Sequence, residues 1–265
     1  GRETWLSWNI WQVSGALDFR VSGRSISRDM NTLTGDFMQR TILCFGDSNT
    51  HGSKAMRHPE DRRRFSRSDR WPGVMAGYLS EDWTIIEEGL PGRTSVFDDP
   101  IEGEHKNGLR TLRAILETHR ALDLVIIMLG TNDLKSRFSV TADDIALGVE
   151  RLVVETRTSG VGQNGTSPEV RLVSPVPIIE VGFLEAMFAG GRQKSEALGA
   201  SLASVAKRQN VAFLDLAAVA SVDPLDGVHL DHEAHRAIGR AMAQAVTAIA
   251  VPGGGQGSPD PGAVD

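Results

Sequence analysis

From Arg40 onward, short apolar runs alternate with longer segments whose apolar positions recur at helical spacing. Residues 41–45, 83–88, 122–129, 170–174 and 211–216 read as strands, and the third, LDLVIIML, is the clearest. Between them, Ile145, Val149, Leu152 and Val153 share one helical face. Thr141 precedes that stripe with Asp144 three residues on, the spacing of a capping box. Residues 193–209 predict another helix. Residues 232–250 predict a last one, with Ile238, Met242, Val246 and Ile249 in a stripe. Runs apolar on both faces and separated by helices imply a parallel sheet with crossover helices. In such sheets the working residues lie just beyond the carboxyl ends of the strands.

The two ends break this pattern. Trp5, Trp8 and Trp11 suggest a helical stripe, but Gly15, Gly23 and Gly35 punctuate the residues after it. Charges at Asp18, Arg20, Arg24, Arg28 and Asp29 leave no continuous apolar stretch of the kind a signal peptide needs. Residues 1–37 are expected to be a poorly ordered leader, native or artificial, ahead of a natural start at Met38. Residues 38–251 form the expected domain, and residues 252–265, rich in Gly, Pro and Asp, a disordered tail.

Charge narrows the choice of partner. The chain of 265 residues carries 28 Lys plus Arg against 34 Asp plus Glu, a formal net charge of -6. Nucleic acid and anionic membrane both call for a basic surface, so neither is expected as a partner. The densest basic run, Arg62-Arg63-Arg64 with Arg67 and Arg70, is interrupted by Asp61 and Asp69 and reads as a solvated loop. No stretch of about 18 apolar residues is present, which argues against a spanning helix. Cys44 is the lone cysteine, so an intrachain disulfide and a cysteine metal cluster are excluded, and a reducing, cytoplasmic setting fits.

Four polar motifs lie where chemistry is expected. Gly46-Asp47-Ser48-Asn49-Thr50 follows the first strand, and a serine on such a turn exposes its hydroxyl while its backbone N–H stays free. Its structural alternative is a simple helix cap. Gly130-Thr131-Asn132-Asp133 follows the third strand, where an asparagine amide can donate to a developing oxyanion or merely shape a turn. Asp226-Gly227-Val228-His229 opens the last helix, with a carboxylate three residues before an imidazole that could take a serine proton. Gly89-Leu90-Pro91-Gly92-Arg93-Thr94 follows the second strand, and Gly92 lets the backbone approach a ligand closely.

Together, in this order and spacing, the four blocks resemble those of the SGNH (GDSL-type) hydrolases over roughly residues 41–250. The runs IEEGL at 86–90, LDLVIIMLGTN at 122–132, DIALG at 144–148 and DGVH at 226–229 are similar to the aryl esterase and acyltransferase (perhydrolase) branch. The resemblance implies a flavodoxin-like fold: a three-layer α/β/α sandwich around a mostly parallel five-stranded sheet. It implies a serine esterase for short acetyl-type aryl or alkyl esters, with acyl transfer to alcohols or peroxide as a further branch and no cofactor. Ser48 is then the nucleophile, His229 the base and Asp226 the orienting acid. The Ser48 and Gly92 N–H groups and the Asn132 side chain form the oxyanion hole. Asp47, Asn49, His51, Thr131, Phe183 and Phe188 are candidate substrate-binding residues. Asn49 stands where many members have leucine, and His51 where an acyltransferase relative carries a bulky aromatic.

Other readings remain beside this one. A carbohydrate acetylesterase would use the same blocks, and a non-catalytic flavodoxin-like module could bind a small ligand at the same loops. Gly160, Gly162 and Gly165 spell G-x-G-x-x-G, but after a helix and before a strand, the reverse of the dinucleotide order. His229, His232 and His235 lack the H-E-x-x-H spacing of a zinc site, so no metal is expected, and His232 and His235 are expected at the surface. Residues 175–191 hold Val176, Ile178, Ile179, Val181, Phe183, Leu184, Met187 and Phe188 in a segment long for a connection. A monomer would expose much of that surface or fold it as a lid. The expectation is a homo-oligomer, as large as an octamer by resemblance, with residues 54–70 at the rim of the contact.

Overall fold

The computed structural model describes residues 39–249, so the leader and tail expectations lie outside the described residues. Five strands form one sheet: β1 (Arg40–Gly46), β2 (Trp83–Gly89), β3 (Leu124–Met128), β4 (Glu169–Ser174) and β5 (Ala212–Asp215). Every pairing is parallel, in the order β2-β1-β3-β4-β5. Six α-helices join them among the described residues, besides short 3-10 turns: α1 (Ser48–His51), α2 (Trp71–Tyr78), α3 (Gly108–Thr118), α4 (Ala142–Arg157), α5 (Gly191–Gln209) and α6 (His232–Ile249).

Alternation along the strands builds two cores. Leu43, Phe45, Val125 and Ile127 face one side and pack with Leu112 of α3, Ile145 and Leu152 of α4, and Leu198 of α5. Ile42, Cys44, Leu124 and Ile126 face the other and pack with Trp71 and Met75 of α2 and Ile238 and Met242 of α6. Because side chains point alternately up and down, strands buried on both faces read as apolar runs, as β1, β3 and β4 do, whereas the edge strands β2 and β5 are only half-buried. The result is the three-layer α/β/α sandwich with a wholly parallel sheet.

The chain leaves β1 outward to β2 and returns on the other side of β1 to β3. In an open parallel sheet that reversal opens a crevice at the carboxyl ends of the two strands, and ligands bind there. Ser48 follows β1 and Asn132 follows β3, so the two flank the crevice.

Local chemistry sets several boundaries. The capping box is present: Thr141 Oγ1 accepts from Asp144 N at 3.1 Å, and Asp144 Oδ2 accepts from Thr141 N at 2.9 Å. The third strand expectation ran two residues long at its start, where Leu122 is buried but off the ladder. Two helices fall outside the sequence expectations. α2 holds Gly73, Gly77 and a proline in its first turn, all weak helix formers, and forms because Trp71 and Met75 bury against α6. α3 starts at Asn107, whose side chain accepts from the Leu109 and Arg110 amides.

Two expectations are corrected by burial. The apolar segment 175–191 does not leave its side chains for a partner: Val176, Ile178, Leu184 and Phe188 are buried in the two cores, and Phe183 is the large one left exposed. His235 is no surface residue. It is fully buried on α6, with Nδ1 accepting from Trp71 N at 3.2 Å and Phe65 edge-on at 5.0 Å. The basic run is exposed at Arg62, Arg63, Arg64 and Arg67, as a solvated loop would be, with local ties at its edges. Arg64 Nε donates to His51 O at 2.6 Å, Arg63 pairs with Asp61 at 2.7 Å, and Arg70 is ion-paired with Glu87. No helix among the described residues is long and apolar enough to cross a membrane.

Candidate active site

Gly46 and Gly89 are register partners at the ends of β1 and β2. A Cβ at Gly89 would collide with the His51 backbone N, and one at Gly46 with the Thr50 side chain. Their bareness lets α1 settle onto the sheet edge, which fixes Ser48 at the start of the helix. The Asp47 side chain caps α1 by accepting from Asn49 N at 2.9 Å.

Asp226 and His229 come from the loop before α6. Asp226 Oδ1 accepts from the Val228 and His229 amides at 3.0 Å each. Oδ2 accepts from Met56 N at 2.7 Å and lies 2.6 Å from His229 Nδ1. Burial alone would raise this carboxyl, but the His229 side chain and the His229 and Met56 backbone amides outweigh it, so Asp226 is held below its ordinary value. An ionised Asp226 accepts, so Nδ1 carries the hydrogen and Nε2 is left with a lone pair. The Met56 contact comes from the 54–70 excursion, and no spacing in the sequence announces it.

Ser48, His229, Gly92 and Asn132 line one cavity of about 440 Å³. No hydrogen bond joins Ser48 Oγ to His229 among the described residues, a looseness common in ligand-free sites. The Ser48 and Gly92 N–H groups donate to no described group. Asn132 Nδ2 donates to Arg93 O at 3.1 Å and reaches Asp47 Oδ2 at 3.5 Å. Since both neighbours are acceptors, the amide orientation follows from the network. One Asn132 hydrogen is therefore held only weakly.

The remaining candidates divide. His51, Phe183 and Phe188 line the cavity. His51 Nδ1 lies 3.1 Å from Ser53 Oγ, and burial, then Arg64 and Arg70, lower its pKa to about 4, so the ring is neutral near pH 7. Asp47, Asn49 and Thr131 are buried, and none of them lines the cavity wall. Asn49 Nδ2 donates to Val228 O at 3.1 Å and its Oδ1 accepts from Leu230 N at 3.2 Å, which ties the nucleophile turn to the histidine loop. Asp47, pushed up to about 6 by burial, stands behind Asn132. Thr131 Oγ1 is buried without a described partner.

Two residues missed in the sequence brace the turns that carry Gly92 and Ser48. Asp133, raised by burial to about 6, accepts from Ser95 N at 2.9 Å and from the Ser95 hydroxyl, so it anchors the turn that carries Gly92. Arg93 is buried, donates to Gly46 O at 2.8 Å and to Glu88 O, and lies over the Phe45 ring at 4.1 Å. An arginine directly after a turn glycine was the available signal. His232 is half exposed beside Asp69, and no group of three or more His, Cys, Asp or Glu among the described residues is arranged to hold a metal.

A parallel α/β sandwich with a serine, a buried Asp–His pair and free amides on one switch-point cavity is the architecture of a carboxylic ester hydrolase that works through serine. The chain belongs to the GDSL-like lipase/acylhydrolase family, which it matches over residues 44–237. An aryl esterase from M. smegmatis is similar at 41% identity, covering 79% of this chain and 99% of that one, with a TM-score of 0.75. A carbohydrate acetylesterase from Sinorhizobium meliloti is similar at 39% identity, covering 79% and 99%, with a TM-score of 0.76. A lipolytic G-D-S-L protein from Veillonella parvula shares the fold at 14% identity, covering 78% and 98%, with a TM-score of 0.57. No curated protein sequence matches the chain significantly.

Proposed function

We propose that Ser48, His229 and Asp226 act as a triad that hydrolyses short-acyl aryl and alkyl esters. The observation that carries this is the 2.6 Å Asp226–His229 pair opening, with Ser48, on a cavity that also holds two unengaged amides. Ser48 Oγ attacks the ester carbonyl carbon while His229 Nε2 takes its proton. The carbonyl oxygen becomes an oxyanion bonded by the Ser48 and Gly92 N–H groups and by Asn132, which turns its loosely held hydrogen away from Asp47. Collapse expels the alcohol or phenol with the proton from His229, leaving an acyl ester on Ser48. Water then attacks by the same route and releases the acid.

The cavity supports a choice of alcohol. Phe183, Leu184, Met187 and Phe188 make an apolar wall suited to an aryl ring or short acyl chain. His51, Ser53, Asp61 and Arg62 make a polar wall suited to a hydroxylated leaving group, which favours the carbohydrate acetylesterase reading as the second. Alcohol or peroxide replaces water only where it wins at the acyl-enzyme, and neutral His51 is placed to hold such an acceptor.

A serine-directed phosphonate should label Ser48 stoichiometrically and abolish nitrophenyl acetate hydrolysis. Labelling elsewhere, or activity that survives it, sinks the assignment. Nitrophenyl acetate, butyrate and octanoate beside an acetylated sugar rank the substrate classes, and preference for octanoate overturns the short-acyl reading. A homo-oligomer and a reducing, cytoplasmic setting belong to the same proposal, supported by exposed Ile101, Phe183 and Leu225 and by the lone, buried Cys44. Light scattering that finds a fully active species at 28.6 kDa ends the oligomer reading.

A further inference from the structure

We propose that Lys106 is a positioning residue for the oxyanion hole: its ammonium, bonded to the Pro91 carbonyl, orients and polarises the peptide unit whose other end is the Gly92 N–H. The inference rests on Gly92 being an oxyanion donor.

Pro91 C=O and Gly92 N–H belong to one planar unit. The single cis peptide among the described residues is Arg120–Ala121, so this unit is trans and its two polar bonds point in opposite directions. Lys106 Nζ donates to Pro91 O at 2.8 Å. At the other end the Gly92 N–H has no described acceptor. A cation on the carbonyl oxygen draws electron density toward it, strengthens the C–N double-bond character and leaves the N–H more positive. Hydrogen bonds coupled through one amide reinforce each other in this way, and more so away from water.

Position needs the same clamp. Gly92 has φ +82°, a left-handed turn residue outside any helix or strand ladder. Lys106 grips this turn at three points. Its carbonyl accepts from Thr94 N at 2.9 Å, two residues past Gly92, and its ammonium holds Pro91, one residue before. Its stem packs on Gly92, where Cε and Cδ would stand 3.3 and 3.4 Å from an added Cβ. The neighbouring Lys135 makes the contrast. Its Nζ lies 2.5 Å from Glu102 Oε1 and 3.7 Å from Asp99 Oδ2, whereas no carboxylate pairs with Lys106 among the described residues. The ammonium of Lys106 thus spends its hydrogen bond on the peptide, while Glu102 and Asp99 stand near enough to act on its charge without pairing with it.

Lys106→Met keeps the stem and removes the charge, and Lys106→Arg restores a cationic donor. With nitrophenyl acetate, Lys106→Met should lower kcat on the order of 10-fold, less than the roughly 10²–10³ expected for loss of a whole donor. KM should stay within about 2-fold, since the effect belongs to the transition state. Affinity for phenylboronic acid, which forms a tetrahedral adduct on serine, should fall by the same factor as kcat, and Lys106→Arg should recover most of both. A folded Lys106→Met with unchanged kcat overturns the inference, and so does a kcat loss that Arg fails to recover or that leaves boronate affinity intact. Should Lys106→Met fold poorly, Lys106→Gln, a neutral donor, is read the same way, and full activity in it removes the role assigned to charge. Asn132→Ala and Ser48→Ala run alongside: if they lose activity and Lys106→Met does not, this inference fails alone, and an active Ser48→Ala brings down the reading of the site itself.

Discussion

Ser48, Asn132 and His229 stand on short segments that leave a strand or enter a helix, and the polar groups behind them are buried and bonded. Met56, Arg62 and Phe183, across the same cavity, come from loops many residues long and keep part of their surface in water. The first wall is braced against the sheet: Asn49 ties α1 to the histidine loop, and Asp133 ties the third strand's end to the Gly92 turn. The second has fewer such ties, although Met56 N reaches through to Asp226. Chemistry demands fixed geometry, and selectivity tolerates adjustable contacts, so the two walls are built to different standards.

The comparison is broken most severely from the braced wall. Ser48→Ala should cut nitrophenyl acetate turnover by about 10⁴-fold or more, and His229→Ala comparably, because the triad fails as a unit. Asp226→Asn should be comparable or milder, since it disturbs orientation and leaves the nucleophile in place. Steady-state kinetics on protein with an unchanged melting temperature decides it, and near-normal turnover in Ser48→Ala is the outcome that excludes the mechanism. Next in size comes Asn132→Ala, expected to lose about 10²–10³ in kcat with little change in KM. If KM rises instead while kcat holds, Asn132 binds substrate and is no oxyanion donor.

The same division governs how much was legible in the sequence. The central strands showed because burial on both faces makes them continuous apolar runs, and the motifs showed because Ser48, Gly92 and Asn132 sit within a few residues of a strand end while His229 sits just ahead of the last helix. Asp226 and His229, three apart, announce their pairing by spacing. The contacts of Asn49 were not legible, because only the fold brings Val228 and Leu230 against it. The burial of Phe188 was not legible, because a long apolar connection looks the same whether it closes a core or meets a partner. Met56, Asp133 and Lys106 act across long sequence separations, which no local pattern encodes.

Beneath the adjustable wall lies a buried histidine that makes the molecule sensitive to acid. Burial lowers His235 to about 4, against about 6.5 when unfolded. Below about pH 6.5 the unfolded chain binds a proton that the folded chain refuses. Stability therefore falls as pH drops from about 6.5 to 4 and then levels, a loss on the order of 3 kcal/mol. Asp47 and Asp133, each raised to about 6, act with opposite sign over about pH 6 to 4, because the folded state there holds protons the unfolded state has released. The difference between wild type and His235→Gln isolates the histidine. On going from pH 7 to pH 4.5 the urea midpoint of the variant should shift toward higher urea relative to the shift seen in wild type, because the destabilising histidine contribution is gone while those of Asp47 and Asp133 remain, and an identical shift in both proteins refutes the assignment.

The smallest effect is expected at the entrance itself. Phe183 is 42% exposed and Phe188 is 2% exposed, yet both line the cavity. Truncating a buried phenylalanine typically costs about 3–5 kcal/mol, whereas a surface change away from special contacts stays within about 0.5 kcal/mol. Phe188→Ala should thus report mainly as lost stability, and Phe183→Ala as altered selectivity in a protein that melts normally. One methylene in an enclosed apolar pocket is worth roughly 10–200-fold. A half-exposed ring contributes less, so the butyrate-to-acetate ratio of kcat/KM should move by a few-fold, less than about 10. Phe183→Asp separates a substrate contact from a subunit contact. If the ring meets only substrate, the ratio moves and the particle mass does not. If it also meets a second copy, mass by light scattering falls together with the ratio. A Phe183→Ala enzyme with unchanged ratio, mass and melting temperature would show that the exposed wall takes no part in selection, and the contrast between the two walls would then reduce to one of mobility.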